Sequence, residues 1–141
     1  MLTVLRIALA LVLGIAIGGG VNMALIVLGP TLIAPPPGVD MTSAEGLRAS
    51  MHLLEPRHFL MPFSAHAVGT LVGASAGSVI AVSHRSIVAF AIGTVFLCGG
   101  IAASVMIPAP AWFIGLDLTA AYLPMAGLGL AIANRLKPRA A

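Results

Sequence analysis

Residues 87–107 read IVAFAIGTVFLCGGIAASVMI, a run without one charged side chain. Crossing the hydrocarbon core of a bilayer takes about 20 apolar residues in a helix, and this run meets that length. Three more stretches qualify: 7–28, 59–82 and 112–133. Backbone groups in lipid must satisfy one another, so four separated apolar runs predict four helices rather than strands. The expected fold class is all-α, a polytopic membrane protein built as a four-transmembrane-helix bundle. All of residues 1–141 form a single membrane domain, with an external loop over 29–58.

Composition agrees with the spans. Charged residues make up 8% of the chain, hydrophobic residues 60%, and the mean hydropathy is +1.10. A water-soluble domain keeps about a quarter of its residues charged, so the expected partner of this surface is the lipid bilayer. The basic isoelectric point does not imply nucleic acid, because the cations are scattered and form no patch. Cys98 is the one cysteine, so no internal disulfide is possible, and a small buried hydrophobe is the expected role. The first run is too long for a signal-peptide core and is read as a retained helix.

The breaks between runs are marked. Gly29-Pro30 is expected to close the first helix, with Pro35-Pro36-Pro37-Gly38 preventing its resumption. Ser83-His84-Arg85-Ser86 reads as a tight polar turn. Pro108-Ala109-Pro110 ends the third span, and Asn134, Arg135, Lys137 and Pro138 mark the end of the fourth. With the N-terminus inside, Arg6, Arg85, Arg135, Lys137 and Arg139 are cytoplasmic, leaving only Arg48 and Arg57 outside. That asymmetry follows the positive-inside rule and predicts both termini in the cytoplasm. Trp112 and Phe113 then fall at the outer start of the fourth span, where interfacial aromatics belong.

Within the loop, Thr42-Ser43-Ala44-Glu45 has the form of a capping box. Leu47, Met51 and Leu54 follow at helical spacing, and Pro56 is expected to stop the pattern. A short external amphipathic helix results, lying on the membrane surface or over the mouth of the bundle. A plain ordered connector is the competing reading.

Small residues recur every four positions in the second span, at Ala65, Gly69, Gly73 and Gly77, and Gly14 and Gly18 form a shorter strip in the first. Such strips let helices approach closely where no hydrophobic drive exists between them. The length of the longer strip favours a homo-oligomer or a membrane-protein partner. Pro124 predicts a kink in the fourth span, where its ring crowds the carbonyl of Ala120. A faint repeat is also present: Gly19-Gly20-Val21 echoes Gly99-Gly100-Ile101, and Gly38-Val39-Asp40 echoes Gly115-Leu116-Asp117. A real repeat would place Asp117 at a loop end, with the fourth span starting at Leu118.

His66 is the first candidate for chemistry. It lies close to the direction of Gly73 on the helical wheel and so faces the packed interior, and an ionisable residue within a membrane is a functional candidate by default. Its structural alternative is a neutral imidazole bonded to a carbonyl or to Thr70 or Ser64. Asn22 and Asp117 lie at comparable depth and complete a candidate polar site open to the outside. Their structural alternatives are interhelical glue for Asn22 and a helix N-terminal charge for Asp117. His52, Glu55 and His58 have metal-ligand spacing, but Pro56 interrupts them, so they are weak candidates and no metal is expected. No phosphate-binding loop, nucleophile elbow or CxxC motif is present, so neither a cofactor nor an enzyme is expected.

The Pro35-Pro36-Pro37-Gly38-Val39-Asp40 loop, the Gly-rich first helix and the small-residue stretch Ala65-His66-Ala67-Val68-Gly69-Thr70 together resemble a group of small bacterial four-span inner-membrane proteins of no established activity. The resemblance implies the four-helix fold and the bacterial inner membrane, and no activity. Two functions are expected: a non-enzymatic protein that packs, oligomerises or supports a complex, or a small-solute or ion transport module with its polar site around His66.

Overall fold

Helix α1 (Leu2–Leu32) is the longest element of a computed structural model that describes residues 2–107 and 109–136. It is followed by α2 (Ala44–Ser50), two short 3-10 turns (Met51–Leu53 and Pro56–Phe59), α3 (Leu60–Ala81), α4 (Arg85–Met106), α5 (Ala111–Ala120) and α6 (Leu123–Leu136). No strand occurs among the described residues. Four helical stretches are long and apolar enough to cross a membrane: Leu2–Leu32, Pro56–Ala81, Arg85–Met106 and Ala111–Leu136. Pro108, Lys137, Pro138 and Arg139, used above as break or topology markers, lie outside the described residues.

Helix α3 is the hub, packing against α1, α4 and α6. Its small-residue strip is fully used inside the chain. A Cβ on Gly73 would lie 2.7 Å from the Gly14 carbonyl oxygen, and one on Gly18 would lie 2.6 Å from that of Gly69. Only glycine allows the two backbones to come so close, and the gain is dispersion contact along the whole seam. The face that favoured self-association is therefore occupied by α1. The buried positions of α1 are Ala10, Gly14, Gly18 and Gly29, with Ile7, Leu11 and Ile15 partly packed beside them, and a Cβ added to Gly19 or Gly20 would meet no neighbouring atom within 4 Å.

Several boundaries depart from expectation. Gly29-Pro30 does not close α1, which runs through Pro30 to Leu32. The helix carries past the proline, and the Ile33 N–H still reaches the Gly29 carbonyl at 2.9 Å. The Pro35–Pro37 run ends the helix instead, because each proline drives its predecessor out of the α region. In α2 the N-cap is Ser43, not Thr42: the Ser43 hydroxyl accepts from the Gly46 N–H at 2.9 Å. Thr42 instead donates both its hydroxyl and its N–H to Asp40 Oδ1. Pro56 starts a helical turn rather than ending one, a position where its missing N–H costs nothing.

The turn between α3 and α4 is tighter than expected. Val82 (φ 60°) and His84 (φ 56°) both take positive φ, His84 in the left-handed helical region, and Arg85 and Ser86 already belong to α4. The Arg85 side chain is buried, donating from Nε to the Val82 carbonyl and from Nη1 to Asn134 Oδ1. The fourth span is interrupted at Ala121–Tyr122, just ahead of Pro124. Pro124 has no N–H for the Ala120 carbonyl, and the chain absorbs this as a break between α5 and α6. Asp117 is not at a loop end or in a first helical turn; it is the seventh residue of α5.

Candidate functional site

The site grows from that interruption. Asp117, on the last full turns of α5, is 4% exposed. A carboxylate so deeply enclosed needs donors, and it has two. His66 Nδ1 lies 2.9 Å from Oδ1 and 3.0 Å from Oδ2, and the Tyr122 hydroxyl donates to Oδ2 at 2.9 Å. Tyr122 reaches back because the helix breaks at its own position. Its ring stacks on the His66 imidazole with centroids 5.7 Å apart. Gly100 of α4 makes room for it, since a Cβ there would overlap the Tyr122 hydroxyl. On α3, the Thr70 hydroxyl donates to the His66 carbonyl at 2.8 Å, holding the turn that carries the imidazole.

His66 meets Asp117 through Nδ1, which leaves Nε2 on the far side of the ring. Nε2 has no hydrogen-bond partner among the described residues and is not one of the fully buried polar atoms. His66 borders a cavity of about 450 Å³ between the ends of α1, α3, α4 and α5 that lie beneath the loop. The cavity wall is apolar apart from His58, His66, Ser104 and Asp117. Ser104 is occupied, donating to the Ile101 carbonyl at 2.7 Å. At the rim, Phe59 and Phe113 pack with ring centroids 4.8 Å apart, and Trp112 meets Phe59 edge-on at 5.5 Å.

The roof comes from the loop. The predicted stripe Leu47, Met51 and Leu54 faces the cavity, joined by Met41. Within the loop the Asp40 N–H donates to the Ser50 hydroxyl at 3.2 Å, and Asp40 Oδ1 accepts from the Thr42 N–H and hydroxyl. Arg48 ties the loop to the bundle, donating through Nη2 to the Met106 carbonyl at the C-terminus of α4. A cation at a helix C-terminus also suits the helix dipole. Asp40 lies outside the spans, and the Thr42 hydroxyl and N–H hold its carboxyl below the usual carboxylate range.

The sequence candidates divide accordingly. His66 and Asp117 come together, with Thr70 behind them. Asn22 does not reach the cavity wall; it lies against Gly69 in the α1–α3 seam, and its Oδ1 is buried without a partner. His52, Glu55 and His58 are not gathered: among the described residues no group of three His, Cys, Asp or Glu side chains is placed to hold a metal. His52 Nδ1 turns to the Ala49 carbonyl, and His58 Nδ1 accepts from the Glu55 N–H at 2.9 Å. This second bond leaves the His58 hydrogen on Nε2, which is buried without a partner. Tyr122 escaped the sequence reading altogether. Its only signal is general: a tyrosine within an apolar run has a hydroxyl that must find a partner. Comparison with known proteins adds no relative, since no family model, curated protein or solved structure matches the chain.

Proposed function

We propose that this chain is a multi-pass protein of the bacterial inner membrane that binds a small solute in its loop-side cavity, as a transport or solute-binding module. One observation carries the reading. His66 is oriented through Nδ1 by Asp117, while Nε2 stays unpaired beside an apolar cavity. A pocket with apolar walls and a few convergent polar groups is the usual form of a small-molecule site. The competing reading, a self-associating or complex-accessory scaffold, drew on the α3 small-residue strip, which α1 already covers.

The orientation has both termini in the cytoplasm, so the cavity opens outward. Arg6, Arg85 and Arg135 lie at the opposite end from the loop that carries Arg48 and Arg57, as the positive-inside rule favours. Reporter fusions in the turn at Ser83 and after Ala141 should both read cytosolic, and a periplasmic signal at either would reverse the topology. For the site, Trp112, the single tryptophan, packs edge-on against the cavity residue Phe59 and serves as a native reporter. In phosphatidylcholine nanodiscs its emission should change saturably with at least one of octylamine, octanol or octanoate. His66→Ala should abolish the saturable phase. A linear response indistinguishable from lipid partitioning for all three probes would end the solute-binding reading.

A further inference from the structure

Resting on the solute-binding reading, we infer that the solute is a single-chain lipid with a small polar head, taken up sideways from the loop-side leaflet through a gap between α1 and α4. The gap follows from how these two helices meet. At the end away from the loop they converge: a Cβ on Gly14 would strike Ile92, and one on Gly18 would press on Phe96. Toward the loop the cavity takes the place of that contact. Ile26 and Val27 of α1 and Ala103 and Ser104 of α4 form its walls there. Val27 is nevertheless 66% exposed, and Ile26 and Ala103 are exposed as well. Residues that line a chamber and also reach the outer surface mark its mouth. Both helices are long and apolar enough to cross a membrane, so in a bilayer this mouth faces hydrocarbon.

The lining sets the class of ligand. Apolar walls suit a hydrocarbon chain. The polar groups are few: His66 beside Asp117 on the floor, His58 on the turn leading into α3, and Ser104, already bonded to Ile101. So few partners can satisfy one small head and cannot replace the hydration of a bulky phosphodiester. Asp117 accepts and the His58 Nε2–H donates, so the lining fixes the size of the head and not the sign of its charge. With the head at His66, the chain runs past Val27 and Ala103 to the mouth. A chain longer than the cavity continues into the bilayer and never meets water. The path to water is the obstructed one, because Leu47, Met51 and Leu54 roof the cavity and Arg48 bonds the Met106 carbonyl.

Chain length separates a mouth on the lipid from a closed chamber or a mouth on water. In phosphatidylcholine nanodiscs, Trp112 emission compares octanol with hexadecanol, octylamine with hexadecylamine and octanoate with hexadecanoate, each expressed as mole fraction in the bilayer. For every head group that saturates at eight carbons, the sixteen-carbon homologue should saturate within about threefold of the same mole fraction, since its extra methylenes stay in lipid before and after binding. A closed chamber would exclude the longer chain, and a mouth on water would weaken it by about fourfold for each methylene pushed into solvent. Ala103→Trp, which fills the gap from α4, should weaken both homologues at least about tenfold. Val105→Trp, on the same helix but outside the cavity wall, should leave both unchanged. The chain-length comparison uses the wild-type protein, so it stands even if a variant misfolds. If an eight-carbon probe saturates and its sixteen-carbon homologue does not, or binds tenfold or more weakly, the inference fails while the solute-binding reading survives. Equal binding by wild type and Ala103→Trp likewise removes the lateral mouth. If no eight-carbon probe saturates, both fail.

Discussion

Tyr122 donates its hydroxyl to Asp117 Oδ2 at 2.9 Å, five residues away across the break that separates α5 from α6. In an unbroken helix a residue five positions on points to a different face from its predecessor. The interruption at Ala121–Tyr122 is what brings the two side chains together. A local failure of helical geometry thus supplies the second donor to the buried carboxylate.

Removing that donor should be costly. Tyr122→Phe keeps the ring and its stacking on His66 but leaves Asp117 with His66 alone. A hydrogen bond to a charged group contributes about 1.5–3 kcal/mol, and the loss should appear in full because Asp117 stays buried. Unfolding in a series of SDS mole fractions should show a lowered midpoint. A midpoint equal to wild type would mean that the hydroxyl is not bonded to Asp117.

The seam between α1 and α3 makes a paired prediction. Gly73→Ala places a methyl against the Gly14 carbonyl, and backbone cannot give way as a flexible side chain can, so overpacking of about 1–3 kcal/mol is expected. Gly19→Ala, on the same helix as Gly14 but facing open space, should be neutral or gain up to about 1 kcal/mol through helix propensity. Thermal unfolding in one detergent should separate the two variants. Equal transitions would mean that α1 does not pack on α3 through its small residues.

Asp40 gives the loop a pH dependence of calculable sign. Its folded-state pKa lies below the unfolded value of 3.8, first because the Thr42 hydroxyl donates to it and second because the Thr42 N–H does. The ionised form is therefore favoured in the folded loop. Its stabilising contribution is fully present above the unfolded value and is lost as pH falls through the folded one. Thr42→Val removes the hydroxyl and keeps the N–H, so the Asp40 titration should move upward but remain depressed. Carboxyl carbon shifts followed by NMR would measure this, and an unmoved titration would contradict the bond.

Much of the fold could be read from the sequence because lipid-length apolar runs and four-residue small spacings are local, strong signals. The four helices and the Leu47-Met51-Leu54 stripe facing the bundle fall in this group. Errors gathered where a proline or cap position had to be placed to the residue. Pro30 sits inside α1 without ending it, and Ser43 outcompetes Thr42 because Asp40 takes Thr42 as its own partner. At the site, His66 and Asp117 stood out singly, since each is an ionisable residue in an apolar run. Their bond spans 51 positions and depends on how α3 meets α5, which no local pattern encodes. Tyr122 required knowledge of the helix break as well. The expected gathering of Asn22 with them relied on depth alone; depth does not fix rotation about the α1 axis, and Asn22 turns into the seam instead.

The seam itself has a consequence for biogenesis. Helix α1 emerges from the ribosome first, yet the surface it fits is synthesised only about forty residues after α1 ends, a gap on the order of seconds at ordinary translation speed. Under the proposed multi-pass reading α1 would be a solitary rod in lipid during that interval, with the Asn22 amide the one strongly polar group deep in its apolar run. Recognition then depends mainly on shape, so the nascent chain can complete its bundle late, by simple lateral docking, with little premature attachment to undo first.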